Sequence, residues 1–256
     1  MMNYTKSEFY RVFITKEIYI AAALMTGLVL LLNGALHFFG GSYANTSFSY
    51  SNLVASPMAF AVMGMIIPFL FYEGGKRNGN LKNTVAGGIS RVKIFAGECV
   101  VSLAVSTLLM ATTMGVWVFS ANLLLEKAGP VDWKDFLGEG AAMYLIAGAC
   151  LISGILFLEI FDKNITGILV WAALWFLLPE AFMYLAVRFP VLYQPAMWLP
   201  NNFLAVNASH VNTRECITAW DTMDTMDGVI RCVLSGLAGC IIFGISGAVL
   251  LKRRDL

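Results

Sequence analysis

The sequence predicts an all-α integral membrane protein with six transmembrane helices and an N-terminal interfacial helix. Of its 256 residues, 59% are hydrophobic and only 13% are charged, whereas soluble domains are roughly 45–50% apolar and about 25% charged. The mean hydropathy is +0.73. Six apolar runs also reach about 20 residues, the length of helix that crosses a hydrocarbon core ~30 Å thick.

These six apolar runs define the predicted spans in chain order. They are approximately Ile18–Phe39, Leu53–Tyr72, Ile94–Leu125, Gly138–Glu159, Ile165–Val187 and Cys232–Leu251. The third run is too long for one helix perpendicular to the membrane, so either its first turns lie in the cytosol or the helix tilts.

The N-terminal segment, residues 1–17, has the pattern of an amphipathic helix. Thr5 and Glu8 have the spacing of a capping box, which is typical of a helix start. The apolar residues that share one predicted face are Phe9, Val12 and Phe13. The pattern favours a helix lying in the inner membrane interface. An extension of the first span into water is the alternative.

Basic residues predict the orientation of the spans, because Lys and Arg are enriched on the cytoplasmic side. With both termini inside, the cytoplasmic segments carry most of the basic residues: Lys6, Arg11, Lys16, Lys76, Arg77, Lys82, Arg91, Lys93, Lys163, Lys252, Arg253 and Arg254. The first outer loop, Gly40–Ser56, carries none. The formal net charge of +1 also argues against a nucleic-acid partner, which would require a broad basic surface.

The long outer loop, residues 188–231, is rich in proline and aromatic residues. Its helix-interrupting prolines are Pro190, Pro195 and Pro200, and its aromatics include Phe189, Tyr193, Trp198 and Phe203. Proline breaks regular helices and aromatic side chains favour the membrane interface. We therefore expect short helices or a re-entrant element that folds back onto the outer surface as a lid.

Residues that could support catalysis or bind a metal are few. The chain has two His residues, His37 and His210, far apart in sequence, so no zinc site is expected. Asn80 stands where a phosphate-binding loop requires Lys, so the chain itself is not expected to bind or hydrolyse ATP. Glu180 is taken as the only acidic group well inside a span, and no His or Lys at that depth would complete a catalytic set. An enzyme is not predicted.

Three polar residues in the spans are candidates for a substrate pathway. Glu180 lies about 22 Å along the fifth predicted helix at 1.5 Å per residue, so it either contacts substrate or reaches the outer interface where Pro179 breaks the helix. Asn33 and His37 lie one turn apart in the outer half of the first span. They either touch substrate or form hydrogen bonds between helices.

Two further features concern packing and redox state. Small residues recur at every fourth position of the last span, namely Gly236, Cys240, Gly244 and Ala248. This stripe predicts close helix packing. Cys216 and Cys232 lie in or next to the long outer loop and would pair only if that loop folds back on the last span; buried free thiols are the alternative.

The segment between the second and third spans carries a loose family signature. It reads Glu73-Gly-Gly-Lys-Arg-Asn-Gly-Asn-Leu-Lys82 and continues to Gly88-Ile-Ser-Arg91. With the N-terminal helix, six spans, a long loop before the last span and a basic C-terminus, the chain resembles the membrane-spanning permease subunit of type-2 ABC exporters. Members commonly show an acidic residue ending the second span, then Gly-x-Leu-Lys and Ser-Arg elements. The matching residues here are Glu73, Gly79, Leu81, Lys82, Ser90 and Arg91.

The resemblance implies that residues 73–93 form a cytoplasmic coupling loop that sits in a cleft of a separate ABC ATPase subunit, with Arg77 within the contact. ATP and Mg²⁺ would bind the partner, and no cofactor is expected in this chain. A second copy or a related permease would complete the pathway in a bacterial plasma membrane. The Met-rich and aromatic spans favour an amphipathic or hydrophobic cargo such as a peptide antibiotic, drug or lipid. The alternatives are an ATP-independent carrier and a toxin-binding immunity or sensor protein.

Overall fold

The computed structural model describes residues 2–77, 85, 88–161, 163–208 and 227–254. Its helices are α1 (Met2–Ile14), α2 (Lys16–Phe39), α3 (Thr46–Val54), α4 (Met58–Arg77), α5 (Arg91–Leu124), α6 (Trp133–Ile160), α7 (Asn164–Arg188), α8 (Tyr193–Met197), α9 (Pro200–Ala208) and α10 (Asp227–Arg254). Within these described ranges the chain is helical and contains no named strand. The protein is an all-α multi-pass membrane protein, as composition predicted.

Five of the described helices are long and apolar enough to cross a membrane: α2, α5, α6, α7 and the Gly228–Arg253 part of α10. A sixth candidate is the pair formed by α3 and the Met58–Leu70 part of α4, which meet at an angle of 70°. The number of spans expected from the sequence is therefore matched only if this bent pair crosses as one element. The long third run forms one helix of 34 residues, α5.

The second predicted span, Leu53–Tyr72, is wrong as a single straight helix. Helix α3 ends at Val54, and α4 begins at Met58 after a sharp bend. The cause is local: Pro57 lacks an N–H donor, and a residue that precedes proline, here Ser56, is driven out of the helical region.

Helix α1 begins at Met2, so the predicted helix start at Thr5 is wrong. Thr5 and Glu8 lie inside the helix, and Glu8 instead pairs with Arg11 one turn later at 2.6 Å. The two residues of a capping box are three positions apart, and so are residues one turn apart inside a helix. The sequence pattern therefore does not distinguish a helix start from a helix interior.

One face of α1 packs against the bundle. Val12 is 2% exposed and joins a cluster with Ile67 of α4 and Val101 of α5, and Phe9 packs against its edge. Phe13 was predicted on the same face but is 45% exposed. The buried face is therefore narrower than expected, and the interfacial position of α1 stays a prediction.

Helix α6 is central, with α4 and α10 as its main neighbours. A capping box formed by Asp132 and Asp135 closes its N-terminus. Phe136, fully buried in the next turn, packs against the rings of Tyr50 and Trp117 at centroid distances of 5.3 and 5.4 Å. Because α6 is covered by its neighbours, it forms the core on which the other helices are arranged.

Close packing of α10 uses only part of the predicted small-residue stripe. A Cβ added to Gly236 would lie 2.6 Å from that of Leu145, and the Cys240 thiol lies 3.7 Å from the carbonyl of the same residue. Gly244 faces open space, so its predicted packing role is wrong, whereas Gly239, outside the stripe, contacts α6. The contact follows the helix rotation rather than a strict four-residue repeat.

The described part of the long loop folds back as short helices, α8 and α9. The Asn202 side chain donates hydrogen bonds to the carbonyls of Pro179 and Ala196 at 2.8 and 2.9 Å. Phe203 and Leu204 are buried in the main core. Cys216 lies outside the described residues, so pairing of Cys216 with Cys232 stays a prediction.

Candidate coupling surface and membrane pathway

The predicted coupling segment is described only at its two ends. Glu73 and Arg77 lie in the last turns of α4, where the backbone alone is described, and Gly79, Leu81 and Lys82 lie outside the described residues. Their roles therefore stay predictions.

Ser90 and Arg91 mark the start of α5. Ser90 has an extended backbone at the N-cap position, and its carbonyl accepts the amides of Lys93 and Ile94 at 3.0 and 3.1 Å. Two residues earlier, Gly88 has a φ of +83°, a conformation that glycine adopts without steric cost. The chain thus turns sharply before it enters α5.

Helix α1 docks next to this turn. Its Tyr4 ring covers Gly97 so closely that an added Cβ would lie 2.8 Å from a ring carbon. Its Val12 also belongs to one buried cluster with Ile67 of α4 and Val101 of α5. Helix α1 therefore packs on α5 and shares a buried cluster with α4, the two helices that flank residues 73–93.

Side chains of α1, α5 and α6 form what we call the inner acidic cluster: Tyr4, Glu8, Arg11, Glu98 and Glu159. The pKa of Tyr4 is raised, first by burial and then by the carboxylates of Glu98, Glu8 and Glu159. Burial likewise raises the pKa of Glu8, and Arg11 opposes that shift. Glu8 forms an ion pair with Arg11, and Glu98 lies within electrostatic range of both.

A small cavity lies inside the inner acidic cluster. Its volume is about 20 Å³ and its lining includes Glu8, Arg11, Glu98 and Ser102, which is room for about one water molecule. The Glu98 Oε2 atom is buried without a hydrogen-bond partner among the described residues. A site with carboxyl groups beside a guanidinium group and space for water has the chemistry to bind and release a proton.

The buried acidic residues were missed by the sequence analysis. Glu180, expected to be the only acidic group well inside a span, is exposed. Glu139 and Glu159 of α6 are 0% and 4% exposed, and Glu98 lies about 10 Å along α5 at 1.5 Å per residue. All three fell within the predicted apolar runs, so a count of carboxylates inside each run would have found them.

Asn33 forms a second buried cluster, the outer polar network of Asn33, Ser49, Trp117 and Ser120. Its amide donates to the Ser120 hydroxyl at 2.7 Å, and its carbonyl oxygen accepts from Ser49 at 2.6 Å. The Trp117 indole donates to Ser49 at 2.9 Å. Because Asn33 is 0% exposed, the structure favours the interhelical hydrogen-bonding alternative for this residue.

His37 also connects two helices. Its Nδ1 donates to the carbonyl of Leu124, the last residue of α5, at 2.6 Å, and the ring is exposed. A contact with substrate stays possible on geometric grounds, because the other ring nitrogen is not engaged by that bond.

Glu180 follows an irregular turn of α7. Residues Ala173–Leu177 form a π-helical segment, and Pro179 two residues later has no N–H to donate. Asn202 satisfies the Pro179 carbonyl. Single π turns are frequent at functional sites, so the structure keeps both the pathway and the interface alternatives open for Glu180.

Among the residues that the structure describes, no group of three or more His, Cys, Asp or Glu side chains could hold a metal ion. No protein-family model, no curated protein and no solved structure matches the chain. The class defined by the fold is thus an all-α protein with five, or up to six, candidate membrane-spanning helices in its described part.

Proposed function

We propose that this chain is the membrane-spanning permease subunit of a type-2 ABC exporter. It forms a translocation pathway for an amphipathic or hydrophobic substrate, such as a peptide antibiotic, drug or lipid, in a bacterial plasma membrane with both termini in the cytoplasm. A separate ABC ATPase subunit binds ATP and Mg²⁺, and a second copy or a related permease completes the pathway.

The observation that supports this proposal most is the docking of α1. It packs on α5, and its Val12 shares a buried cluster with Ile67 of α4 and Val101 of α5, the two helices joined by residues 73–93. A force applied to that segment by a partner would reach α1 and the base of both helices together. Such a lever is what coupling between ATP binding and a change of membrane conformation requires.

The composition of residues 73–93 fits a surface that leaves and re-enters the membrane interface. Lys and Arg side chains hold such a segment at the headgroup level, and the positive φ of Gly88 permits the turn into α5. Both features suit a loop that meets a partner at the level of the headgroups.

Partner identification is the first test. The full chain is tagged in its native membrane, purified in mild detergent and analysed by mass spectrometry. We expect a stoichiometric soluble ATPase, which is lost in the Glu73→Ala/Arg77→Glu variant and kept in Lys163→Glu. Lys163 is an exposed residue predicted on the same membrane side, so it controls for charge alone. Purification without any ATPase would contradict the proposal.

A functional test uses the reconstituted complex. Reversing the charge of Arg77 and Lys82 together, or replacing Glu73 with Ala, should lower transport-coupled ATPase activity at unchanged membrane insertion. Activity at the unmodified level in both variants would exclude a coupling role for residues 73–93.

The inner acidic cluster favours a second candidate, an ATP-independent carrier coupled to protons. Ionisable groups inside a membrane bundle often form proton relays. In this case vesicles containing the chain alone should show substrate-dependent proton movement, measured with an internal pH dye, and Glu98→Gln should abolish it. No proton movement by the chain alone would exclude this candidate.

A further inference from the structure

An apolar groove runs along the outer half of α10, where it faces α7 and the turn between α8 and α9. We call it the outer groove and define it by Trp175, Leu178, Pro179, Trp198, Ala238 and Ile242. Its volume is about 530 Å³, within the range of ~300–1,000 Å³ typical of small-molecule sites.

The groove opens on the side of the bundle. Ile242 is 59% exposed and Leu178 is 39% exposed, and in a bilayer such apolar side chains face lipid. Its lining on α10 extends from Leu234 to Phe243. This length is about 14 Å at 1.5 Å per residue, close to half of a hydrocarbon core ~30 Å thick. The groove therefore matches the depth of one leaflet.

A positive charge lies at one end of the groove. The guanidinium carbon of Arg231 lies 5.9 Å from the centroid of the Trp198 ring, and Trp198 is itself part of the groove lining. Leu234 and Ser235, the first α10 residues of the lining, follow Arg231 by one helical turn. The groove is thus apolar along its length and cationic at its end.

We propose that the outer groove binds one acyl chain of an anionic phospholipid, whose phosphate pairs with Arg231. The apolar walls pack against the acyl chain. The Arg231 guanidinium group forms charge-assisted hydrogen bonds with phosphate oxygens. Under the predicted orientation this lipid comes from the outer leaflet. The site does not depend on ATP-driven export and would exist in a carrier as well.

The test uses the full chain reconstituted into phosphatidylcholine vesicles that contain a small, equal mole fraction of either phosphatidylglycerol or phosphatidylcholine with brominated acyl chains. Bromine quenches tryptophan fluorescence on contact, and the difference between the unmodified chain and Trp198→Phe isolates the Trp198 signal. We expect quenching of Trp198 to require about fivefold less brominated phosphatidylglycerol than phosphatidylcholine, as one basic residue near anionic lipid predicts.

Two variants with matched controls separate the groove from its charge. Ala238→Phe fills the groove and should remove the strong quenching, whereas Ile241→Phe, on an exposed part of the same helix, should not. Arg231→Gln should remove the preference for phosphatidylglycerol, whereas Arg188→Gln, another basic residue of the outer side, should keep it.

Equal quenching by the two lipids in the unmodified chain would overturn the proposal. So would unchanged quenching in Ala238→Phe that elutes as folded protein. If Ile242→Cys forms covalent dimers in vesicles and no lipid preference is seen, the groove is an interface between two copies and the proposal is wrong. Arg231→Gln, a partly exposed surface change, keeps the test decisive if Ala238→Phe does not fold.

Discussion

The outer polar network is buried and the inner acidic cluster is mostly half-buried, and the two differ in how their polar atoms are satisfied. In the outer network Asn33 is bonded to side chains of two other helices at 2.6 and 2.7 Å. In the inner cluster the Glu98 Oε2 atom has no hydrogen-bond partner among the described residues and faces a cavity of about 20 Å³.

This difference distinguishes a network that fixes the positions of helices from a cluster whose protonation can change. Neutral groups that satisfy one another hold three helices in one register at no electrostatic cost. Carboxyl groups in excess over cations are costly to bury and are retained mainly where protons, water or conformational changes are needed. We therefore expect the outer polar network to be rigid and the inner acidic cluster to respond to protonation.

The largest effect is expected from Asn33→Leu. The change removes the acceptor of the Ser49 hydroxyl and a donor to the Ser120 hydroxyl, which keep only their bonds to Trp117. A buried polar group that loses its partner costs about 1–3 kcal/mol. The unfolding free energy should fall by about 2 kcal/mol or more, measured by thermal denaturation in detergent. Asn52→Ala, at an exposed amide on α3, is the control. Equal stability of the two variants would show that the outer polar network does not hold the helices in place.

A change of opposite sign is expected from Glu98→Gln. The amide is close in shape to the carboxyl group, carries no charge and can donate to the neighbouring carboxylates, so the unfolding free energy should rise by about 1 kcal/mol at neutral pH. The same denaturation assay measures it, with Glu126→Gln, at an exposed carboxylate, as control. A loss as large as that of Asn33→Leu would show that Glu98 is a structural group like Asn33.

A smaller effect is expected from pH acting on Glu8. Burial raises the pKa of Glu8 above its ordinary value of 4.5, so the folded state holds the proton more tightly than the unfolded state. The stability that this provides is complete below about pH 4.5 and is lost as pH rises through the raised pKa. Arg11, Tyr4, Glu98 and Glu159 are the charged or titratable groups nearby.

Acidification from about pH 7 to about pH 5 should therefore stabilise the unmodified chain more than Glu8→Gln. The measurement is the unfolding temperature across that range. Glu17→Gln, an exposed carboxylate at the start of α2, should behave like the unmodified chain. If Glu8→Gln retains the full pH dependence, the inner cluster does not respond through Glu8.

The smallest effect is expected from Glu180→Gln. The side chain is exposed, so the unfolding free energy should change by less than about 0.5 kcal/mol. If the chain is an exporter permease as proposed and Glu180 lies on its substrate route, the substrate response should still change. An unchanged response would assign Glu180 to the outer interface near Pro179.

Much of the fold was predictable from hydropathy, and the failures have local causes. Helices α2, α5, α6, α7 and α10 coincide with predicted runs to within several residues. The straight second span failed because Pro57 outweighs apolar continuity. The predicted helix start at Thr5 failed because its spacing with Glu8 also occurs inside a helix.

The candidate site was less predictable. Ser90 and Arg91 lie at the start of α5 as their order before the third span suggested, and the inner segment that would join them to Glu73 stays a prediction. Glu98 and Glu159 were overlooked because an apolar average hides a single carboxylate. Their partners on α1 are far away in sequence, so no local pattern brings them together.

By itself the sequence determined that the chain belongs in a bilayer and that it is helical, because a backbone in lipid must satisfy its own hydrogen bonds. Tertiary structure alone decided which polar side chains meet. Asn33 lies 16 residues from Ser49 and 87 from Ser120, and hydropathy does not specify how one helix is rotated toward another. The lipid and the interior of the helix bundle are equally apolar, so packing and hydrogen bonding between helices set that rotation.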